Sequence, residues 1–446
     1  MDRRFPAAPG RAARPLLVLA GLLVALLPGL AAAQAAPEPL PQPLRIEAAL
    51  AAIDTRHPHL RHARAYREHA EQALEAERAA NDITVDATLD ARWIEPNDNP
   101  PDDSSDDSRA VLVARKLLSD FGHSRHRIAA SEREAQVTRI EEELAHARHR
   151  MEVMEHYFEV LLADLAFARD NEAMASAFVT LNRAENRNEL GQVSDIELFE
   201  LDAAYQTARG QRLRAQQTQR RSRAELAEAL NRPGQAPAQV LGPALPLNLP
   251  ELPELDRLLE ALDRDGPEIA VRRGQVEAAH RRTDAARTQY RPRLSTHAQL
   301  GWWNREFGTE RNPATVGLAL EIPLYQGRRR GTALGQATAE RHLAEAELAQ
   351  SMIDIRTAAR ELYFEIEALL VQRDEAMARM DYRELYIDRA RALYDMEEQA
   401  DLGDSMVRQS AATHFNAANE YALALAFERL AVLVGDPALS VFPPDP

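Results

Sequence analysis

The chain has 446 residues, a formal net charge of −16 and no cysteine. That excludes disulfides, thiol chemistry and a cysteine-held zinc, and it argues against a nucleic-acid binder, whose binding face would be basic. Charged residues make up 28% of the chain and aromatic ones only 5%, a balance that favours long helices over a mixed sheet protein.

Arg3, Arg4, Arg11 and Arg14 precede an apolar run from Leu16 to Leu27, and Ala31-Ala32-Ala33 offers a small-residue cleavage site. The pattern predicts a signal peptide over 1–33; the run is closed by Pro28-Gly29 and is too short for a membrane anchor. No later stretch is apolar enough for a membrane helix, so insertion into a bilayer would have to use strands.

After a proline-rich lead-in over 37–43, the chain is written twice. A first repeat covers 44–231, a linker with six prolines from Arg232 to Pro253 follows, a second repeat covers 254–435, and a tail covers 436–446. The stretch from Leu50 to Leu60 recurs loosely from Leu259 to Ile269. Asn231 follows Gly122 by 109 residues, and Gly435 follows Gly327 by 108.

Each copy opens with a helix near a proline, over 58–80 and 267–290. The period then changes from helical to two. Ile83, Val85, Ala87, Leu89, Ala91 and Trp93 alternate with Thr84, Asp86, Thr88, Asp90 and Arg92, and Leu294, Ala298, Leu300 and Trp302 with Ser295, His297, Gln299 and Gly301. This predicts strand pairs at 83–93 with 109–117 and at 294–303 with 314–322, each strand about the length that crosses a bilayer when tilted. Trp93, Phe121, Trp302, Trp303 and Tyr325 fall at strand ends, where an aromatic girdle would sit, and the acidic loop 95–108 reads as exposed. Two hairpins packed on a soluble core would show the same alternation, but would leave Asp86, Asp90 and Arg92 on a face that needs water.

The remaining mass reads as long helical hairpins. Val137, Ile140, Leu144, Ala147, Met151, Met154, Phe158, Leu161 and Leu165 step by three and four, as do Leu348, Met352, Ile355, Ala359, Leu362, Ile366 and Leu369. That spacing is a coiled-coil seam, on an arm of about 100 Å. Four strands cannot close a barrel, because both outer edges would stay unpaired in lipid. Inserted strands therefore require oligomerisation, and three copies bring the count into the range of known barrels. The predicted fold is mainly α with a small β part: a trimeric 12-strand β-barrel, four strands per chain, continued by a long α-helical coiled-coil barrel with an internal two-fold repeat.

The sequence resembles the outer membrane efflux protein family, the TolC-like channels of tripartite export systems. The segment Ala319-Leu320-Glu321-Ile322-Pro323-Leu324-Tyr325-Gln326-Gly327 is similar to the family's strand-to-helix junction, Asn188-Glu189-Leu190-Gly191-Gln192-Val193-Ser194-Asp195 to its periplasmic turn, and Ala400-Asp401-Leu402-Gly403-Asp404-Ser405 to its closing helix. The resemblance implies a homotrimer in outer membrane lipid of a Gram-negative bacterium, with the helical part in the periplasm. Its implied partners are a periplasmic membrane fusion (adaptor) protein and an inner membrane transporter, with no nucleic acid and no cofactor.

The family pattern also places paired aspartates three residues apart at the periplasmic aperture. Asp401 and Asp404 match it, and counted back from the helix ends, Glu197 and Glu200 are their counterparts in the first repeat. A spacing of three puts both acids of a pair on one helix face, to be read as a solvated face or as a gating ring that gathers six to twelve carboxylates. Where the family pattern calls for a basic latch residue this chain has Glu397, with Arg408 a candidate substitute.

His57, His59, His62 and His69, and separately His146 and His149, read as ordinary surface histidines rather than a metal site. No hydrolase elbow, zinc-protease motif or phosphate loop occurs, so no catalytic residue is assigned and no enzyme is expected. The expected function is a passive exit channel; the alternative is a soluble periplasmic coiled-coil scaffold or adaptor.

Overall fold

The computed structural model describes residues 40–95, 105–304, 312–396 and 402–443, all within the unit Pro39–Pro446. The signal segment, much of the acidic loop and residues 397–401 lie outside the described residues.

Each half begins with a short helix, α1 (Ile46–Ala51) or α5 (Leu255–Asp265), and a longer one that starts on proline, α2 (Pro58–Ala79) or α6 (Pro267–Thr288). Proline suits this position because the first helical amides have no intrahelical acceptor to lose. Two strands follow in each half: β1 (Thr84–Asp90) with β2 (Arg109–Ser119), and β3 (Arg293–Trp303) with β4 (Ala314–Glu321). They form one antiparallel sheet in the order β1-β2-β3-β4, the two hairpins joining where Leu112 pairs with Leu300. Among the described residues, the outer edges of β1 and β4 have no strand partner.

The first strand stops three residues before the predicted end at Trp93. There Arg92 pairs with Asp107, and Trp93 forms only an isolated bridge to Asp106. Asp107, expected in an exposed loop, is buried by that contact, so the base of the loop is a folded turn.

Each hairpin leads into a helix of 67 residues, α3 (His123–Glu189) or α7 (Arg329–Asp395), about 100 Å long at 1.5 Å per residue. The change from strand to helix passes through left-handed backbone, φ 103° at Gly122 and 59° at Gly327, where glycine carries no steric penalty. At the junction into α3, burial pulls the Asp120 carboxyl upward in pKa. The Ser124 hydroxyl and amide and the Gly122 amide outweigh it and hold the group below its usual range.

The return helices are α4 (Asp195–Ala229) and α8 (Leu402–Val434). Both close alike, around left-handed Asn231 (φ 55°) and Gly435 (φ 77°). The Arg232 amide donates to Ala227 O at 2.8 Å and the Asp436 amide to Ala431 O at 3.1 Å.

Of the two large cores, one joins the halves and the other lies within the second half. In one, Leu44, Ile46, Met154, Phe158, Leu226 and Tyr421 pack, with the Phe158 and Tyr421 rings stacked 4.5 Å apart. Burial pushes the Tyr421 hydroxyl up to about 12, so it stays protonated. In the other, Leu258, Leu262, Ile269, Ile366 and Phe427 pack. The C-terminal half of α8 feeds both cores and is buried on nearly every side. Each such large side chain contributes about 1.5–3 kcal/mol by leaving water.

The linker is irregular but pinned. The Leu44 amide donates to Gln239 O at 3.0 Å, the Leu241 amide to Leu44 O at 2.9 Å, and the Tyr157 hydroxyl to Leu241 O at 2.6 Å. Fully buried Glu420 meets Arg373 Nε at 2.6 Å and accepts from the Leu247 amide at 2.8 Å, while Arg373 Nη2 donates to Leu247 O at 2.7 Å. Glu420→Ala would leave Arg373 largely buried without its counter-charge and release the linker. Breaking a buried pair this way costs about 3–5 kcal/mol. The expected result is a sharply lowered thermal midpoint of the solubilised protein, with new proteolytic cleavage within 232–253; an unchanged midpoint would refute this role.

Candidate functional site

The sheet separates its side chains by chemistry. One face carries Val85, Ala87 and Leu89, Ala110, Leu112 and Ala114, Ala298, Leu300 and Trp302, then Val316, Leu318 and Leu320, with Lys116 and Thr296 as its polar members near the helical end. Most of these large apolar side chains are exposed in the chain by itself. The other face carries Thr84, Asp86, Thr88 and Asp90, with Arg109 and Arg115 beside them, and Ser295, His297 and Gln299; Val111, Val113, Leu117, Trp303 and Ala319 are among its apolar members. Its charges are paired across strands: Arg109 Nε lies 2.5 Å from Asp90 and Arg115 Nη1 3.2 Å from Asp86. Among the described residues, no helix is long and apolar enough to cross a membrane.

Of the five aromatic positions, Trp93 and Trp302 are exposed near the loop end of the sheet, and Phe121 and Tyr325 are exposed at the helical end. Trp303 differs. It pairs with Arg109 on the charged face, and its ring lies over Gly301, which has no side chain to obstruct it.

The acidic positions lie at the far end of the helical arms. Glu197 and Glu200 are exposed in the first turns of α4, and among the described residues neither forms an ion pair. Ser194 caps this helix, its Oγ accepting from the Glu197 amide at 3.2 Å. Glu197 is thus also the third residue of a capped helix start, where a negative charge favours the helix dipole. Asp404 is half-buried in the first turn of α8 and pairs with Arg408, one turn on, at 2.5 Å. Asp401 and Glu397 lie outside the described residues.

Asp404 and Glu200 do not share a height within the chain. Gly403 abuts Ser176 of α3, whereas on the α4 side Tyr205 meets Phe178 with ring centroids 5.7 Å apart. Asp404 is therefore level with α4 residues just beyond Tyr205, roughly 10 Å along the arm from Glu200.

A second apolar stripe, missed in the sequence, runs along α7. Leu343, Ile353, Phe364, Val371, Tyr382 and Leu385 are all exposed, Val371 to 73%. Their steps of ten, eleven, seven, eleven and three residues keep them near one helix face at 3.6 residues per turn. The buried seam through Ile355, Ala359 and Ile366 lies elsewhere on the same helix. A search for steps of three and four finds the dense seam and passes over the sparse one.

The histidines correct the surface reading. His57 and His149 are buried, at 9% and 2% exposure, and with exposed His59 they form one cluster. His62 instead lies against Tyr66.

Comparison with known proteins follows the same lines. Residues 258–436 match the family model described as outer membrane efflux protein. The proteases secretion protein PrtF of Dickeya chrysanthemi is 28% identical over 166 residues, 35% of this chain and 36% of that protein, so the chain matches about a third of that relative's length. Among solved structures, the CmeC outer membrane channel of Campylobacter jejuni superposes with a TM-score of 0.72 at 16% identity, covering 87% of this chain and 84% of that one. The Vibrio cholerae outer membrane protein VceC gives 0.67 at 16% identity, covering 85% and 95%. The open-state MtrE channel of Neisseria gonorrhoeae gives 0.65 at 17% identity, covering 90% and 91%. At such identities these likenesses establish the fold, four strands joined to long paired helices.

The double position of Glu197 can be tested. Ser194→Ala should weaken the start of α4 by about 1 kcal/mol, lowering hydrogen-exchange protection of the Glu197 amide about fivefold. Glu197→Gln, which keeps the cap, should leave that protection within about twofold of wild type. The reverse pattern would make the carboxylate, not the serine, the element that holds the turn.

Proposed function

We propose that the chain, whose second repeat matches the outer membrane efflux protein model, belongs to that family and is the passive exit channel of a tripartite export system. It works in the outer membrane of a Gram-negative bacterium with its helices in the periplasm. The observation that carries this reading is the sheet with two open edges, apolar on one face and charged on the other. In lipid, every backbone donor and acceptor needs a partner within the protein, so β4 of one copy must pair with β1 of the next. Three copies close twelve strands, with the paired Asp86, Asp90, Arg109 and Arg115 facing a watery lumen.

The helical layer supports the same closure. Its packing order is α2, α3, α6, α7, so the exposed Leu343 and Ile353 of α7 meet α2 of the neighbour as β4 meets β1, and the stripe continues past the start of that helix. The arm ends would engage a periplasmic adaptor that connects the duct to an inner membrane pump. PrtF is named for protease secretion; a shared duct reads little of its cargo, which the pump selects. The soluble scaffold reading would leave the apolar sheet face and both edges in water.

At the aperture, threefold symmetry places Asp401 and Asp404 in an inner acidic tier and Glu197 and Glu200 in a second, displaced along the axis. Each tier attracts cations and repels anions. Asp401→Ala with Asp404→Ala should raise single-channel conductance in planar bilayers and weaken block by multivalent cations about tenfold or more. Glu197→Ala with Glu200→Ala should act separately and additively. Unchanged conductance and block would remove the gate and leave the channel standing. A purified chain that stays monomeric in water without detergent would sink the channel itself.

A further inference from the structure

The first repeat buries polar chemistry that the second does without. His57 caps the start of α2, His59 lies in its first turn, and His149 lies on α3; one ring nitrogen from each falls within 4.8 Å of the others. The His57 and His149 rings stack at 4.2 Å, and His59 stands edge-on to His57 at 5.0 Å. Among the described residues, His57 Nδ1 and His149 Nε2 are buried with no hydrogen-bond partner. Two lone buried nitrogens facing a third imidazole are costly unless something bridges them.

The surroundings suit a cation. His149 Nδ1 lies 2.9 Å from Glu152 Oε2, which holds the Nδ1–H tautomer and presents the Nε2 lone pair to the cluster. The same carboxylate oxygen is 3.8 Å from His59 Nδ1. The corner that delivers His57 is fixed: its amide donates to Asp54 O at 2.8 Å, and the Asp54 carboxylate accepts from Arg56 and from Asn231 Nδ2.

The duplication supplies an internal control. Matching Pro58 with Pro267 and the starts of α3 and α7 places Gly266, Glu268 and Ile355 at the positions of His57, His59 and His149. Ile355 is buried in the second core, so the shared fold needs no imidazole at this point.

We propose that His57, His59 and His149 form a binding site for a divalent first-row transition ion of the Zn2+ class. Glu152 orients His149, and the ion ties the start of α2 to α3. Three imidazoles suit such an ion, and tetrahedral bonds of ~2.0–2.1 Å bring ligand nitrogens to about 3.4 Å. The rings need to close by only about an ångström, mostly through a rotation of exposed His59.

The test uses the untagged chain, purified as the detergent-solubilised oligomer and titrated with ZnCl2 against a chromophoric chelator. One Zn2+ should bind per chain and raise the thermal midpoint. His149→Ile, which installs the residue of the second repeat, and His59→Gln, on the exposed side, should each weaken binding about 100-fold or more and abolish the midpoint shift. Glu152→Gln should weaken it about 10- to 100-fold. His156→Gln, in the separate group with Glu159 and Glu225, should leave it unchanged. The proposal is overturned if wild type binds no Zn2+, if His59→Gln binds as wild type does, or if only His156→Gln loses the ion.

Discussion

Hydrogen bonds that one chain cannot make govern the rest of this structure. A four-stranded sheet leaves one row of backbone donors and acceptors open on β1 and another on β4. In water such edges are an aggregation hazard; in hydrocarbon they cannot persist at all. The helices meet the same constraint in another form. The layer α2, α3, α6, α7 ends on a helix whose apolar stripe is exposed among the described residues. Sheet and helical layer thus end in the same rotational sense, and one symmetry operation satisfies both.

The duplication makes that operation economical in sequence. Both halves use left-handed backbone at the same two places, Gly122 and Gly327 where strand becomes helix, Asn231 and Gly435 where the return helix stops. Once these corners are set, two helices of equal length and two strand pairs follow. The halves then diverge in chemistry. Where the first buries His149, the second buries Ile355; where the second drives α8 through both cores, α4 contributes mainly its last turns. A repeat preserves corners more strictly than contents, because a corner tolerates few backbone conformations and a buried site tolerates many side chains.

This is why the architecture was legible in the sequence and the sites were less so. Period-two runs and dense three–four runs are properties of a segment alone, so strands and seams emerged at close to their observed bounds. Errors arose where a distant segment decides. Arg92 leaves the strand because Asp107, fifteen residues on, captures it. Trp303 looked equivalent to Trp302, yet neighbours on a strand face opposite ways, and Arg109 with Gly301 gave it a place on the charged face. His57 and His149 read as surface residues because their burial depends on α2 folding back along α3, which no local pattern records. The α7 stripe was missed because most of its members stand seven to eleven residues apart, too sparse for a search by steps of three and four.

The stagger of the acidic pairs bears on how such an end would respond to charge. Counted from the helix ends, Glu200 and Asp404 are equivalent, but α8 packs beside Ser176 of α3 while the start of α4 stays near the α3 tip. The resulting separation of roughly 10 Å is about one Debye length at physiological ionic strength. Asp404 and Glu200 of one chain therefore interact weakly through salt water. If the proposed trimer forms, Arg408 beside Asp404 lowers the cost of gathering charge there, and the exposed Glu197 and Glu200 depend on solvent for the same purpose. Two weakly coupled sets of carboxylates then keep an attraction for cations over a longer path than one ring would.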